Sequence, residues 1–282
     1  MDNPIKYITY EVVSKCDMDC RFCFSYWRDH VPELNTEEAK EVITIMKEKG
    51  LEAINFTGGE PLLRKDLGEL LKFSKSKGLT TILSTNGTRL RQRLDEIAGN
   101  VDFIGLPLDS SDPQVHNEMR PTRTVSNHYQ TVLDLLDLIS KSYVHIGVKI
   151  NTLVSGKNMD TVPTVADLIK EKVISWKLSQ FIPGAYGGQH TNEFEISNED
   201  YNGVVREARS RAGTLPIVVA SAYSCDNGCR IISPQGHLLK PVRAELKDMG
   251  RITRDLPASA YQDFDSQLNL DILEETYLQH GR

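Results

Sequence analysis

The chain has 282 residues, of which 39% are hydrophobic, so it can bury a sizeable core in one large domain or two small ones. Its formal net charge of -6 argues against a general attraction to nucleic acid or to an anionic membrane surface. The sequence shows no signal peptide and no apolar run of about 18 residues that would span a bilayer, which predicts a cytoplasmic location with neither nucleic acid nor membrane as a partner.

Strand-like and helix-like segments alternate through the first two thirds of the chain. The predicted strands cover residues 5–13, 52–57, 79–84, 101–108, 143–153 and 174–182, and the predicted helices between them cover 35–49, 66–77, 90–98, 125–141 and 160–171. Residues 110–124 are predicted to form a polar loop. Such alternation predicts an α/β fold with a parallel sheet. Because six units are too few to close an eight-stranded barrel, we predict an open, partial (β/α)6 barrel over residues 1–183.

A small C-terminal α/β extension is predicted for residues 184–282, where the sequence pattern changes. It begins with a glycine-rich loop at 184–190. The further predicted elements are a helix at 197–211, a strand at 215–222, a hairpin over 229–240 that turns at 234–236, and a helical patch at 268–277.

Three cysteines, Cys16, Cys20 and Cys23, follow the first predicted strand at the spacing C-x3-C-x2-C. Such a loop can bring three thiolates round one inorganic cube, and a [4Fe–4S] cluster normally takes four cysteine ligands. Because no fourth cysteine lies nearby, one iron would keep an open position, which the amino and carboxylate groups of a small molecule could chelate. Two alternatives stay open: a structural zinc site with His30 as the fourth ligand, and a disulfide with one spare thiol.

A second motif, Gly58-Gly59-Glu60-Pro61, ends the second predicted strand. Its glycines let the backbone approach a ligand closely, and one carboxylate follows them. Placed one helix after C-x3-C-x2-C, this motif resembles that of the radical S-adenosylmethionine (SAM) enzymes, and the resemblance covers roughly residues 5–240. It implies a partial barrel, a [4Fe–4S] cluster held by the three cysteines, SAM as a cofactor, and a reductant such as flavodoxin or ferredoxin.

Polar residues end several predicted strands, where ligands lie in parallel α/β folds. Ser84 and Asn86 could bond a ribose or a carboxylate, or only form the turn, and Asp109 could contact a ligand or cap the next segment. The resemblance adds that the Gly-Gly-Glu-Pro loop holds the SAM amino group and that an aromatic residue contacts the adenine. The predicted cofactor-binding residues are Phe22, Gly58, Gly59, Glu60, Ser84, Asn86 and Arg120.

Two lysines lie inside apolar predicted strands, Lys149 on the fifth and Lys177 on the sixth. A lysine is costly to bury unpaired, and two of them on adjacent strands would repel each other unless an anion lay between them. Strand alternation places Asn151 on the same side as Lys149. This pattern favours a pocket for phosphate or carboxylate, and the alternative is that each lysine pairs with a carboxylate of the barrel.

The resemblance is strongest to the viperin family, radical SAM enzymes that dehydrate CTP. It is carried by Ile54–Pro61, Ser84–Gly87, Lys149–Asn151 and Trp176-Lys177. It implies that Arg120 meets the SAM carboxylate and that Lys149, Asn151 and Lys177 meet nucleotide phosphates. The chain departs from the family at residues 234–236, where the family has a radical-quenching tyrosine, and from this sequence we expect neither the family's C-terminal substrate loop nor its amphipathic anchor.

The sequence therefore predicts an enzyme that cleaves SAM reductively to a 5′-deoxyadenosyl radical and abstracts hydrogen from a nucleotide such as a nucleoside triphosphate. An alternative substrate is a peptide or another natural product that enters beside residues 184–190. A non-enzymatic alternative is a zinc-stabilised binding protein. Cys225 and Cys229 form a C-x3-C pair that could hold part of an auxiliary cluster, form a disulfide, or be buried thiols.

Overall fold

The computed structural model describes residues 5–25, 31–222, 224 and 229–261. One sheet of ten strands, in the order β10-β9-β8-β1-β2-β3-β4-β5-β6-β7, organises this part of the chain. The strands are β1 (Tyr7–Val13), β2 (Ala53–Gly58), β3 (Thr80–Ser84), β4 (Phe103–Pro107), β5 (Gly147–Val154), β6 (Ser175–Gln180), β7 (Ile217–Ala220), β8 (Ile231–Ile232), β9 (His237–Val242) and β10 (Glu245–Arg251).

Strands β1 to β7 pair in parallel with their neighbours in chain order, so their carboxyl ends meet at one edge of the sheet. Strand β8 pairs in parallel with β1, whereas β9 and β10 add antiparallel strands outside it. The order of the described strands ends at β7 and β10, so the sheet is open. The predicted α/β fold with a partial barrel is confirmed.

Most of the helices connect parallel strands. They are α1 (Thr36–Glu48), α2 (Leu67–Ser76), α3 (Leu90–Ile97), α4 (Pro113–Met119), α5 (His128–Ser142), α6 (Ala166–Ile169), α7 (Thr191–Phe194), α8 (Asn198–Ala212) and α9 (Ala258–Tyr261), with short 3-10 turns between some of them. The side chain of Asn35 accepts from the Glu38 backbone and the Glu38 side chain accepts from the Asn35 backbone, which caps α1 as its sequence predicts. Buried apolar faces of the helices and strands form one large core and two small separate clusters.

The structure corrects three sequence-based expectations. Residues 110–124 are not only a loop, because Asp112 caps α4, which starts at Pro113. The helix expected over 160–171 is a 3-10 turn followed by the four-residue α6. The glycine-rich segment contains a 3-10 helix, Ala185–His190.

The predicted extension contains its expected helix, strand and hairpin. Strand β7 lies beyond residue 183 but pairs with β6, so the parallel sheet runs across the predicted boundary. The division into two domains stays a prediction, and the helical patch at 268–277 lies outside the described residues.

Candidate active site

The three cysteines of the C-x3-C-x2-C loop line one cavity of about 230 Å³ at the carboxyl end of β1. Cys20 is buried, Cys23 is partly buried and Cys16 is exposed, and all three carry thiols rather than disulfides. Burial raises the pKa of Cys20 to about 12, and partial desolvation by the surrounding protein raises that of Cys16 to about 11 although the residue keeps an exposed side. Without a cation, these two thiols therefore stay protonated at neutral pH.

This donor set fits an iron–sulfur cube, in which separate thiolates bind separate irons around one centre. In the part of the chain that the structure describes, no group of three His, Cys, Asp or Glu side chains is arranged round a single metal ion. The zinc alternative also needs His30, which lies outside the described residues. Three thiols alone leave a tetrahedral zinc ion one ligand short, whereas a cluster can bind through them and keep one iron open.

Asp17 fixes the cysteine loop against the end of β3. Its carboxylate accepts hydrogen bonds from Asn86 Nδ2 at 2.8 Å, Thr88 Oγ1 at 2.9 Å and Arg89 Nε at 3.1 Å. Burial acts to raise the pKa of Asp17, but the hydrogen bonds from Asn86, Thr88 and Thr124 outweigh it and lower that pKa. A charged Asp17 therefore holds Asn86 beside the thiols, and Asn86 Nδ2 lies 4.0 Å from Cys16 Sγ.

Gly58 and Gly59 bring β2 against the chain that enters the cysteine loop. A Cβ atom on Gly58 would lie 2.2 Å from the Val13 carbonyl oxygen, and one on Gly59 would lie 2.1 Å from that of Lys15. Gly58 also has φ of +136°, which side-chain-bearing residues rarely adopt. What the glycines approach here is protein backbone, and their predicted contact with a ligand stays a prediction.

Glu60 is fully buried and holds the neighbouring strand end. Its carboxylate accepts from Thr85 Oγ1 at 2.6 Å, from the Asn86 backbone N–H at 2.7 Å and from the Leu62 backbone N–H at 3.0 Å. Burial raises the pKa of Glu60 to about 7, although these hydrogen bonds oppose that rise. The side chain therefore positions the backbone of Thr85 and Asn86, and its predicted contact with SAM stays a prediction.

Arg120 lies beside the cysteine loop at the end of α4. Its Nε donates to Asp109 Oδ2 at 2.5 Å, and its guanidinium carbon lies 5.1 Å from the centre of the Phe22 ring. Asp109 is buried and also accepts from the Leu153 backbone N–H at 2.9 Å. Phe22 in turn meets Phe194 edge to face, with ring centres 5.7 Å apart. Phe22 and Arg120, each predicted to bind the cofactor, thus contact each other, and the charge of Arg120 acts on the Cys20 thiol.

A second cavity, of about 480 Å³, occupies the interior of the open barrel. It brings together Lys149, Asn151 and Lys177, the three predicted substrate residues, and Ser84 faces it too. Its remaining lining residues are Tyr7, Thr9, Phe24, Asn55, Thr57, Ser179, Val218 and Cys229. Ser84, predicted to bind the cofactor, therefore lies with the lysines, whereas Asn86 lies with the thiols. We call this space the lysine cavity.

The two lysines give the lysine cavity a positive character. Lys149 is 6% exposed, and burial, followed by the charge of Lys177, lowers the pKa of Lys149 to about 7. Lys177 and Asn151 are paired residues of β6 and β5, and Lys149 lies two positions deeper in the barrel. An anion in the cavity would meet charges from both strands.

Gly105 is a residue that the sequence reading missed. A Cβ atom there would lie 2.8 Å from Asn151 Nδ2 and 3.2 Å from Ser84 Oγ. The absence of a side chain on β4 therefore leaves room for the polar groups of β3 and β5. A glycine inside a predicted apolar strand was the available signal, because such a residue often marks a close approach.

The glycine-rich segment packs on the cysteine loop. The Gly187 backbone N–H donates to the Cys23 carbonyl at 2.9 Å, and a Cβ atom on Gly187 would lie 2.8 Å from the Phe22 carbonyl oxygen. A Cβ atom on Gly184 would likewise lie 2.8 Å from an atom of the Phe24 ring. The glycine-rich segment, beside which a peptide substrate was expected to enter, therefore packs on the cysteine loop.

Membrane insertion by a helix has no support among the described residues, since none of their helices has the length and apolar character needed to cross a bilayer.

A thiol-lined cavity thus lies at the carboxyl edge of an open, mostly parallel sheet, and the barrel interior beside it is lined by two lysines. The family model of the Radical SAM superfamily matches residues 10–169, more than half of the chain. The chain belongs to this superfamily, and the reading as a zinc-stabilised binding protein is set aside.

Relatives named S-adenosylmethionine-dependent nucleotide dehydratase include proteins from Lacinutrix mariniflava and Selenomonas ruminantium. The one from Lacinutrix mariniflava is 34% identical over 215 residues, which cover 71% of this chain and 43% of the relative. The one from Selenomonas ruminantium is 26% identical over 254 residues, which cover 87% of this chain and 89% of the relative. The chain thus spans less than half of the first relative and most of the second.

Among solved structures, native anSMEcpe with bound AdoMet and Kp18Cys peptide aligns with a TM-score of 0.72 at 17% identity. The alignment covers 94% of this chain and 82% of that chain. At this identity the likeness concerns the fold, which agrees with the open α/β barrel described above.

Proposed function

We propose that the protein is a radical SAM enzyme that takes a hydrogen atom from a nucleotide, with a nucleoside triphosphate as the preferred class. The observation that carries this proposal is the lysine cavity, which Lys149 and Lys177 line together with Phe24, the residue that follows the cysteine loop. The names of the two relatives support a nucleotide over other anions.

The charge of the lysine cavity favours a multiply anionic ligand. Burial of Lys149 beside Lys177 makes its ammonium form costly, which is why its pKa falls to about 7. A phosphate group between the two lysines would compensate both charges and would form charge-assisted hydrogen bonds. Asn151, Ser84, Asn55 and the threonines add neutral hydrogen-bonding groups suited to a sugar or a base.

Cys16, Cys20 and Cys23 would hold a [4Fe–4S] cluster, and Asn86, Phe22 and Arg120 lie where they could bind SAM. When bound, the cluster and SAM together supply the radical chemistry, which belongs to the cofactors. The protein's own residues bind and orient the ligands: Arg120 offers a guanidinium to a carboxylate, and Phe22 offers an aromatic face. A small electron-transfer protein such as flavodoxin or ferredoxin would supply the electron, and the thiols of the loop suit a reducing compartment such as the cytoplasm.

Calorimetric titration of the anaerobically reconstituted, SAM-loaded protein with a panel of nucleoside triphosphates tests the proposal. We expect at least one nucleotide to bind, and to bind more weakly when Lys149 is replaced by methionine. Iron–sulfur absorption and SAM cleavage without binding of any nucleotide would overturn the nucleotide assignment. The peptide or natural-product alternative would then be favoured.

A further inference from the structure

Two buried histidines, His116 on α4 and His128 at the start of α5, form a hydrogen-bonded pair that the sequence reading did not single out. They are 0% and 2% exposed, and their ring planes are parallel to within 1°. His116 Nε2 lies 2.8 Å from His128 Nδ1. Asn117 fastens the helices that carry them, since its side chain binds the Asn127 side chain and the Tyr129 backbone.

Both ends of the pair reach strand ends of the proposed SAM site. The Asp109 backbone N–H, at the end of β4, donates to His116 Nδ1 at 3.1 Å. His128 Nε2 lies 2.7 Å from the carbonyl oxygen of Asn86, beyond the end of β3. Asp109 is the carboxylate that binds Arg120, and Asn86 is the residue that binds Asp17 and lies beside Cys16.

The backbone groups at the two ends of the histidine pair, the Asp109 N–H and the Asn86 carbonyl, fix the direction of its hydrogen bonds. A backbone N–H can only donate, so Nδ1 of His116 carries no proton and its Nε2 carries one. That proton is donated to Nδ1 of His128, whose remaining proton lies on Nε2 and is donated to the Asn86 carbonyl. The chain of bonds is complete only when both imidazoles are neutral.

Burial and the nearby charges also favour the neutral form of both imidazoles. Burial lowers the pKa of His116 to about 2, with the charges of His128 and Arg120 acting in the same direction. Burial likewise lowers the pKa of His128 to about 4, although its bond to Asn86 opposes this. Neutral imidazoles are therefore the stable forms at neutral pH.

We infer that His116 and His128 are positioning residues of the SAM site, and that their one-way hydrogen-bond chain sets the distance between the Asp109–Arg120 pair and Asn86. In the proposed site Arg120 and Asn86 would bind SAM from different segments of the chain, so their separation decides whether both can bind it at once. This inference rests on the proposed function, because the site concerned is the proposed SAM site.

Nitrogen-15 chemical shifts of the histidine rings in the full-length protein at pH 7, without any cofactor, test the chain of bonds directly. Both His116 and His128 should show neutral rings with the proton on Nε2. A doubly protonated ring or a proton on Nδ1 in either histidine would overturn the inference. This readout does not depend on cluster loading or on turnover.

Calorimetric titration of SAM into the reconstituted protein tests the consequence. His128→Leu removes the donor to Asn86 and should weaken SAM binding by about fivefold or more, since one hydrogen bond contributes about 1 kcal/mol. His128→Gln can still place an N–H near the Asn86 carbonyl, so we expect its affinity to lie closer to the wild type. Equal SAM affinity of the leucine, glutamine and wild-type proteins would overturn the inference.

His145→Leu is the matched control, because His145 also binds a backbone carbonyl, that of Ala98 at 3.0 Å, but away from the cysteine loop. We expect its melting temperature to change without a change in SAM affinity, whereas equal losses in both leucine variants would assign His128 a merely structural role. If the wild type binds no SAM at all, the proposed function fails, and the nitrogen-15 shifts still test the hydrogen-bond chain.

Discussion

The charge of Lys177 helps to lower the pKa of Lys149, because both ammonium groups face the lysine cavity from adjacent strands. This arrangement costs free energy in the unliganded protein and would favour an anion that enters the barrel. It is the feature that most closely ties the structure to a phosphorylated substrate.

Replacing either lysine by methionine should weaken nucleotide binding by about tenfold or more, because a hydrogen bond to a charged group contributes roughly 1.5–3 kcal/mol. SAM cleavage without nucleotide should survive in both variants, since neither lysine lines the thiol cavity. Calorimetry measures the nucleotide affinity, and 5′-deoxyadenosine release measures SAM cleavage.

Lys172→Met is the control, because Lys172 forms a half-exposed ion pair with Asp137 at 2.6 Å outside the lysine cavity. Loss of SAM cleavage in the Lys149 or Lys177 variant would show that the lysines serve the SAM site or the fold.

Nucleotide affinity should fall as the pH rises above about 7, the pKa of Lys149 in the unliganded protein. Above that pH Lys149 is increasingly neutral, and a bound anion restores its charge, so binding must take up a proton. Because one proton is taken up on binding, nucleotide affinity should fall by a factor that approaches about tenfold for each pH unit above this pKa. Titrations in two buffers of different ionisation enthalpy count the proton. Nucleotide binding to Lys149→Met should take up no proton through residue 149, and only the titration of the nucleotide itself should remain. If nucleotide affinity depends on pH in the same way in the variant and the wild type, Lys149 is not the group that takes up the proton.

Gly105→Ala should weaken nucleotide binding by about tenfold and leave SAM binding unchanged. The added methyl group would lie 2.8 Å from Asn151 Nδ2 and would push a wall of the lysine cavity inward. Gly99→Ala is the matched control, because a Cβ atom there meets nothing within 4 Å. Calorimetric nucleotide affinities of the two variants show whether the added methyl group on residue 105 weakens binding. Unchanged affinity in Gly105→Ala would remove Asn151 and Ser84 from the substrate contacts.

Cys20→Ala should lose the cluster and all SAM cleavage, because in the proposed site each thiolate of the loop would hold a separate iron. Iron content, visible absorption and 5′-deoxyadenosine release check this after anaerobic reconstitution. Cys225→Ala and Cys229→Ala should keep the iron content of the wild type. A loss of about four irons per chain in either control would indicate an auxiliary cluster, and SAM cleavage by Cys20→Ala would refute the cluster assignment.

The fold was predictable where local signals agree with tertiary contacts. The capping pattern of Asn35 and Glu38 predicts the start of α1, and the alternation of strands and helices predicts the parallel sheet. Helix α4 was missed because its seven residues are mostly polar, although Asp112 and Pro113 form a recognisable start. The place of β7 in the main sheet depends on pairing with β6, a non-local contact that no short pattern encodes.

The candidate site was predictable as a set of residues but not as a set of contacts. The thiols converge on one cavity, and Lys149, Asn151 and Lys177 converge on another, as strand periodicity indicates. The sequence could not assign Glu60 to the Thr85 and Asn86 strand end, since that bond joins two separate loops. Nor could it pair His116 with His128, because their contact requires helices α4 and α5 to pack together.

The most direct test of the central claim is the transfer of deuterium from a nucleotide to 5′-deoxyadenosine. The reconstituted enzyme is mixed with SAM, a reductant and nucleoside triphosphates deuterated on the ribose, and the 5′-deoxyadenosine is analysed by mass spectrometry. A nucleotide-acting radical SAM enzyme should release more 5′-deoxyadenosine with its substrate than without it, and that product should carry one deuterium. Release that no nucleotide stimulates, with no deuterium in the product, would contradict the account.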